Sequence, residues 1–147
     1  MNKLKNNTHY VAQYDSEALH GRDAPCTPRS WNLQKIIVDH CKNRHTLLDI
    51  GCGTAFKLFP LSPHIRMIYG LDPSESMIQS AQYKLSSRKL NNINLIRGKG
   101  ENLPFDSNSI DIITCMLSRW DVREIHRVIN KKGVVIVEQI GCDEGVC

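Results

Sequence analysis

At 147 residues, with 41% hydrophobic and 23% charged side chains, the chain suits one globular domain and is too apolar for wholesale disorder. Its net charge of +4 comes without any block of five or six like charges, so nucleic acid stays open as a partner class but is not called for. No run approaches the roughly eighteen apolar residues of a membrane span, and the six cysteines lack any C-x-x-C pair, which argues against a zinc or disulfide framework and for reduced cytoplasmic thiols.

Residues 1–29 are polar and turn-rich, broken by Gly21, Pro25 and Pro28, and read as a lead-in segment ahead of a domain over 30–147. Met1 to Asn7 is polar and basic with no apolar segment behind it, so no secretory leader is expected. Ser30 stands as an N-cap, and Leu33, Ile36, Ile37 and Cys41 recur at helical spacing, which predicts an amphipathic helix ending near Asn43. The stretch from His45 to Phe56 then reads as a buried strand feeding a tight turn. Asp49 sits at the strand's exit, and Gly51 and Gly53 lack the Cβ that would close off unusual dihedrals or hold a ligand away from the backbone. In an open α/β sheet that exit is where ligands bind.

Thr54 to Leu61 predicts a short helix pointing its N-terminus at the turn and stopped by Pro60 and Pro63. Residues 65–72 form a second strand ending in Asp72, nineteen positions after Gly53, close to the spacing of about twenty at which an acid reaches ribose hydroxyls in nucleotide-binding βαβ units. Pro73 is expected at the first position of a helix that Asp72 caps and that carries Met77, Ile78, Ala81 and Leu85 on one face. A short third strand over 92–98 reads as near the sheet edge, and 110–116 reads as a fourth. Val122, Ile125, Val128 and Ile129 mark a helix that should stop at Gly133, followed by a fifth strand over 134–140, apolar enough to be covered on both faces. Alternating strands and helices make an α/β fold with a parallel sheet.

Four ordered blocks carry a family resemblance. Leu47-Leu48-Asp49-Ile50-Gly51-Cys52-Gly53-Thr54, then Tyr69 to Ser74 with Met77, then Gly100-Glu101-Asn102-Leu103-Pro104-Phe105 with Asp111, and finally Glu124 to Ile129 with Gly133 together resemble the class I S-adenosylmethionine-dependent methyltransferases. The resemblance implies a Rossmann-like parallel sheet of order 3-2-1-4-5 with helices on both faces, lacking the family's usual last two strands. It implies S-adenosyl-L-methionine as cofactor, methyl transfer as the activity, and a small molecule as the favoured acceptor. Asp49, Gly51, Cys52 and Gly53 would take the methionine part, Asp72, Pro73 and Met77 the ribose side, Gly100 and Glu101 the adenine, and Met116 would lie near the methyl group. Tyr10 and Tyr14 make the lead-in segment a candidate lid.

The departures from the family pattern carry expectations of their own. Ala55 replaces the third glycine of the first motif, and Lys99 replaces an acid that often meets the adenine amino group, which a lysine cannot do as an acceptor. Only eight residues separate Cys115 from Glu124, so the acceptor-side loop must be short. No catalytic residue is assigned, and His126, beside the buried positions Ile125 and Val128, reads as a structural histidine. The fifth strand would be left as an apolar edge, a route to a dimer. Two other functions compete: a cofactor-binding remnant with little activity, and a nicotinamide-dependent oxidoreductase, against which Phe56 stands in the third glycine position of the dinucleotide fingerprint.

Overall fold

The computed structural model describes residues 33–42, 45–116 and 118–138. The lead-in segment with Tyr10 and Tyr14, the cap at Ser30 and the residues after 138 lie outside the described residues. A helix, α1 (Leu33–His40), precedes strand β1 (Thr46–Ile50). A 3-10 helix (Phe59–His64) leads to β2 (Met67–Asp72), α2 (Glu75–Ser86) and β3 (Ile93–Arg97), and β4 (Ile110–Met116), α3 (Val122–Val128) and β5 (Ile129–Glu138) follow. The five strands form one parallel sheet in the order β3-β2-β1-β4-β5, as the alternating pattern and the family resemblance require.

Two cores follow from the period of two along β1. Leu47 faces one way and packs with Ile37 of α1, Leu58 and Leu61, Ile78 and Ala81 of α2, and Ile68, Ile93 and Ile112 of the sheet. Leu48 and Ile50 face the other way, with Leu71, Ile113, Cys115, Leu103 and, from α3, Ile125 and Val128. All five residues of β1 are buried, which identifies it as the central strand. Strand order reverses between β1 and β4, and the carboxyl ends at that switch point hold the Asp49 turn.

Four local expectations are corrected. Residues 54–61 do not form an α-helix: turns run from Cys52 to Leu58, and the 3-10 helix that follows carries Pro60 and Pro63 within it. Prolines cannot donate to an α-helical ladder, and a short 3-10 turn needs fewer such bonds. Pro73 is not the first helical residue. Ser74 is the N-cap, its hydroxyl accepting the Met77 N–H at 3.2 Å, so the proline stands one position outside. α3 ends at Val128 rather than Gly133, because β5 has already begun at Ile129. The β4–β5 register jumps there from Ile110 opposite Ile129 to Ile112 opposite Val134, and a side chain at Gly133 would run into Ile129 and the Asp111 carbonyl. Finally, β5 is not covered on both faces: among the described residues it is an edge strand, with Val135 39% and Val137 38% exposed.

Asp111 secures the amino end of the sheet. Its Oδ2 accepts from the Thr46 N–H at 2.8 Å and the Thr46 hydroxyl at 3.0 Å, and its Oδ1 accepts from the Asn130 amide at 2.7 Å, tying β4 to both neighbours. Burial pushes this carboxyl up, but the hydrogen bonds from Thr46 and Asn130 and the nearby His45 outweigh it, and the net direction is down.

Candidate cofactor site

Asp49 and Asp72 converge at the carboxyl ends of β1 and β2, above the face that holds α1 and α2. Asp49 pairs in register with Thr114 of β4, whose hydroxyl donates to its Oδ1 at 2.6 Å. Burial pushes the Asp49 carboxyl up to about 6; the Thr114 bond and the Lys57 charge pull it down, and the negative charge of Asp72 adds to the rise. Burial, and then the same two carboxylates, also drive the Cys52 thiol well above its usual range, so Cys52 is an inert packing thiol, not a nucleophile.

Gly51 and Gly53 have φ of +78° and +55°, the left-handed region that glycine enters without cost. That backbone lets the Gly51 and Cys52 N–H groups donate to the Leu71 carbonyl at 2.7 and 3.0 Å, closing the turn onto β2. The Gly53 N–H donates to Asp72 Oδ2 at 2.9 Å and the Ser74 N–H to Oδ1 at 2.9 Å. Asp72 thus braces both turns through its two carboxylate oxygens. Among the described residues, a side chain at Gly53 would meet only Met77 Sδ, at 3.9 Å, so this side of the turn is open to them. Ala55, in the place of the family's third glycine, has φ of 58° and therefore carries strain of roughly 1–2 kcal/mol that a glycine would not.

Gly100 is buried, and a Cβ there would collide with the Arg119 carbonyl oxygen and press on Ile50 at 2.8 Å. The loop at Gly100 is therefore held against the segment after β4, which also bridges Gly100 to Trp120. That segment reaches the first turn as well: Ser118 occupies the space a Gly51 side chain would need. Glu101 and Lys99 are exposed beside Gly100, and Met116 is half-buried at the end of β4.

The loop from Gly100 to Phe105 has a structural partner in α3. The Leu103 N–H donates to Glu124 Oε2 at 2.7 Å, while Arg127 donates to the Phe105 carbonyl at 2.6 Å and the Leu103 carbonyl at 2.9 Å. Arg127 also bonds both oxygens of Glu124, at 2.8 Å each, a bidentate pair. Two of the four sequence blocks are thus one clamp. His126 points outward between these clamp residues and is exposed. The Arg127 and Leu103 hydrogen bonds hold the Glu124 carboxyl down to about 2. A depressed carboxyl contributes stability above its unfolded value and loses it as pH falls through its folded value. The protein should therefore lose the clamp's contribution between about pH 4.5 and pH 2. In thermal melts across that range, Glu124→Gln should show a shallower pH dependence than the wild type; identical slopes would contradict the clamp.

Sequence reasoning brought Asp49, Gly51, Cys52, Gly53, Asp72 and Met77 to one place and Gly100 beside it. It missed Thr114, Ser118 and Trp120. Thr114 was marked by being polar within the apolar run Ile112 to Cys115; Ser118 and Trp120 carry no local signal, since they matter only through the fold. A cavity of about 360 Å³ lined by His40, His45, Asp111 and Lys132 lies at the amino ends of the strands, away from this turn. Among the described residues, no group of three His, Cys, Asp or Glu side chains is placed to hold a metal ion, and no helix is long and apolar enough to cross a membrane.

The family described as "Methyltransferase domain" matches residues 47–133, more than half of the chain, and its span contains both carboxylates, both glycine turns and the clamp. The chain belongs to this methyltransferase family. A demethylmenaquinone methyltransferase of Staphylococcus epidermidis is 37% identical over 116 residues, covering 72% of this chain and 47% of that protein. The crystal structure of the YcgJ protein of Bacillus subtilis superposes with a TM-score of 0.66 at 28% identity, over 71% of this chain and 48% of that one. A geranyl diphosphate C-methyltransferase of Streptomyces coelicolor, solved with S-adenosyl-L-homocysteine, shares the fold at TM-score 0.63 and 16% identity, over 71% and 41% of the two chains. This chain thus spans about half the length of the curated relatives it matches. Neither the family match nor these relatives support a dinucleotide oxidoreductase, and the geometry gives the reason: turns, not a helix N-terminus, follow the glycines, so the usual pyrophosphate seat is missing.

Proposed function

We propose that this methyltransferase-family chain binds S-adenosyl-L-methionine across the carboxyl ends of β1, β2 and β4 and transfers its methyl group to a small-molecule acceptor. The observation that carries the reading is the pair of carboxylates on one open glycine turn: Asp49, buried and raised to about 6, and Asp72, bonded to the Gly53 and Ser74 N–H groups. Such a site favours a ligand that brings a cation to Asp49 and a diol to Asp72. When bound, the cofactor supplies an activated methyl group on a sulfonium.

The chain's own residues orient it. Asp49 takes the ammonium end, Gly51, Cys52 and Gly53 present backbone alongside it, and Asp72, with Pro73 and Met77 at its flank, takes the ribose hydroxyls. Gly100 and Glu101 frame the adenine in a loop that the Glu124–Arg127 clamp holds still. Met116 borders the methyl group, and Ser118 and Trp120 close the cleft from the β4 side. The rate then comes from holding acceptor and donor in line, which asks for positioning more than for a general base. Residues 30–147 act as the cofactor-binding domain, and the cytoplasm, which holds both cofactor and reduced thiols, is the compartment in which this works.

Because relatives are named for demethylmenaquinone, that compound, oxidised and reduced, is the first acceptor to try. With methyl-labelled cofactor, label should appear in the acceptor, and in neither form with Asp72→Ala. Binding of the cofactor without transfer to any of a panel of small acceptors would favour the remnant reading.

A further inference from the structure

We infer that the cavity at the amino ends of the strands is a second ligand site, which takes a small phosphomonoester with a hydroxylated carbon body, of sugar-phosphate size. The inference rests on this end of the sheet and not on the methyltransferase reading. The cavity, about 360 Å³, is lined by His40 at the end of α1, His45 just before β1, Asp111 of β4, and Asn130 and Lys132 of β5. It falls within the range of roughly 300–1,000 Å³ found for small-molecule sites. From this cavity β5 leads the chain away, to Glu138 at the opposite end of the sheet.

An irregularity in β5 builds one wall. Two steps along β4, from Ile110 to Ile112, match five along β5, from Ile129 to Val134, and the surplus carries Asn130 and Lys132. Bulges of this kind re-aim side chains next to functional sites.

The polar groups are sorted into donors and acceptors. The Lys42 N–H donates to His45 Nδ1 at 3.2 Å, so the neutral His45 ring carries its proton on Nε2. His40 Nδ1 lies 2.8 Å from the Ile36 carbonyl oxygen, which can only accept, so the neutral His40 ring keeps its lone pair on Nε2. The Asn130 amide donates to Asp111 Oδ1 at 2.7 Å and retains its own oxygen as an acceptor. Asp111 is the acid among the described lining residues, and its Oδ2 already accepts from the Thr46 N–H and hydroxyl. No acid among the described residues pairs with Lys132. Lys132 and His45 therefore offer donors to an anion, and His40 and Asn130 offer acceptors to hydroxyl groups. A phosphate takes the first pair, because its oxygens accept charge-assisted hydrogen bonds from separate directions. The ligand's hydroxyls take the second pair, and its carbon body lies on Ile112 and Val134, the apolar part of the lining.

The probes are ribose 5-phosphate, inorganic phosphate and ribose, titrated into the full chain by calorimetry at low salt, with the ring C–H signals of His40 and His45 followed by NMR. Ribose 5-phosphate should bind saturably with a dissociation constant of about 1 mM or tighter and shift both histidine signals, with or without S-adenosyl-L-homocysteine. Inorganic phosphate should bind several-fold more weakly, and ribose alone not measurably. Lys132→Met should weaken ribose 5-phosphate about tenfold, whereas Lys131→Met, which removes the same charge from outside the lining, should change it by less than about twofold. His40→Leu should weaken ribose 5-phosphate and leave inorganic phosphate unchanged. Circular dichroism of each variant confirms that the fold is kept. No binding of ribose 5-phosphate up to about 20 mM, as would follow if residues 43–44 fill the cavity, would overturn the inference. So would equal losses in the two lysine variants, the mark of general attraction to a basic surface, or ribose 5-phosphate binding no tighter than inorganic phosphate. Cofactor binding can succeed or fail independently of all these outcomes.

Discussion

Asp72→Ala should lower both stability and cofactor affinity by more than any other single change at the site. The carboxylate accepts the N–H groups of half-buried Gly53 and buried Ser74, and its loss leaves both backbone donors without that partner. At roughly 1–3 kcal/mol for each such group, the cost is roughly 2–6 kcal/mol, a large share of a typical net stability of about 5–15 kcal/mol. The melting temperature should fall by about 10 °C. The same truncation removes both acceptors for the ribose diol, so S-adenosyl-L-homocysteine should bind at least about a hundredfold more weakly. Asp72→Asn, which keeps one acceptor oxygen, should fold better than Asp72→Ala and still bind poorly. An unchanged melting temperature would remove Asp72 from the turn's support, and unchanged affinity in either variant would remove it from the ribose.

Asp49 should behave in the opposite way. Its folded pKa of about 6 lies above the ordinary carboxyl value, with burial as the main cause, so the folded state holds the proton more tightly than the unfolded chain does. The stability this lends is complete below about pH 4 and is lost as pH rises through about 6, which amounts by pH 7 to a cost of about 3 kcal/mol. Asp49→Asn keeps an oxygen for the Thr114 hydroxyl and never ionises. It should therefore stabilise the ligand-free protein at pH 7 by up to about 3 kcal/mol, while the benefit vanishes near pH 4. It should also weaken cofactor binding, because no negative charge remains for the ammonium. In the wild type, cofactor affinity should decline as pH falls below about 6. An Asn variant that melts at or below the wild-type temperature at pH 7 would show that the buried charge is already compensated.

Much of this was legible because β1, β2 and β4 announce themselves as apolar runs, and because Asp49 and Asp72 each end one. The edge position of β3 followed from its weak alternation. What the sequence concealed depends on tertiary context. Pro60 and Pro63 locally signal the end of an α-helix, but they shape a 3-10 helix in its place. Gly133 reads locally as a helix stop, yet it exists because Ile129 and the Asp111 carbonyl crowd a bulge in β5. Ala55 stands in the place of the family's third glycine, and its positive φ shows that the backbone still holds the conformation suited to glycine. The Glu124 and Arg127 pair was visible only as part of a family block, and its task, gripping Leu103 and Phe105 some twenty residues earlier, emerges from the fold.

The central claim is that the turn from Asp49 to Gly53, together with Asp72, is a site for S-adenosyl-L-methionine. Calorimetric titration of the full chain with S-adenosyl-L-homocysteine near pH 7.5, with a nicotinamide dinucleotide as control, addresses it directly. The site predicts saturable binding of one S-adenosyl-L-homocysteine per chain, lost in Asp72→Ala, and no heat from the dinucleotide. The absence of binding up to millimolar ligand, or equal binding of the dinucleotide, would contradict it.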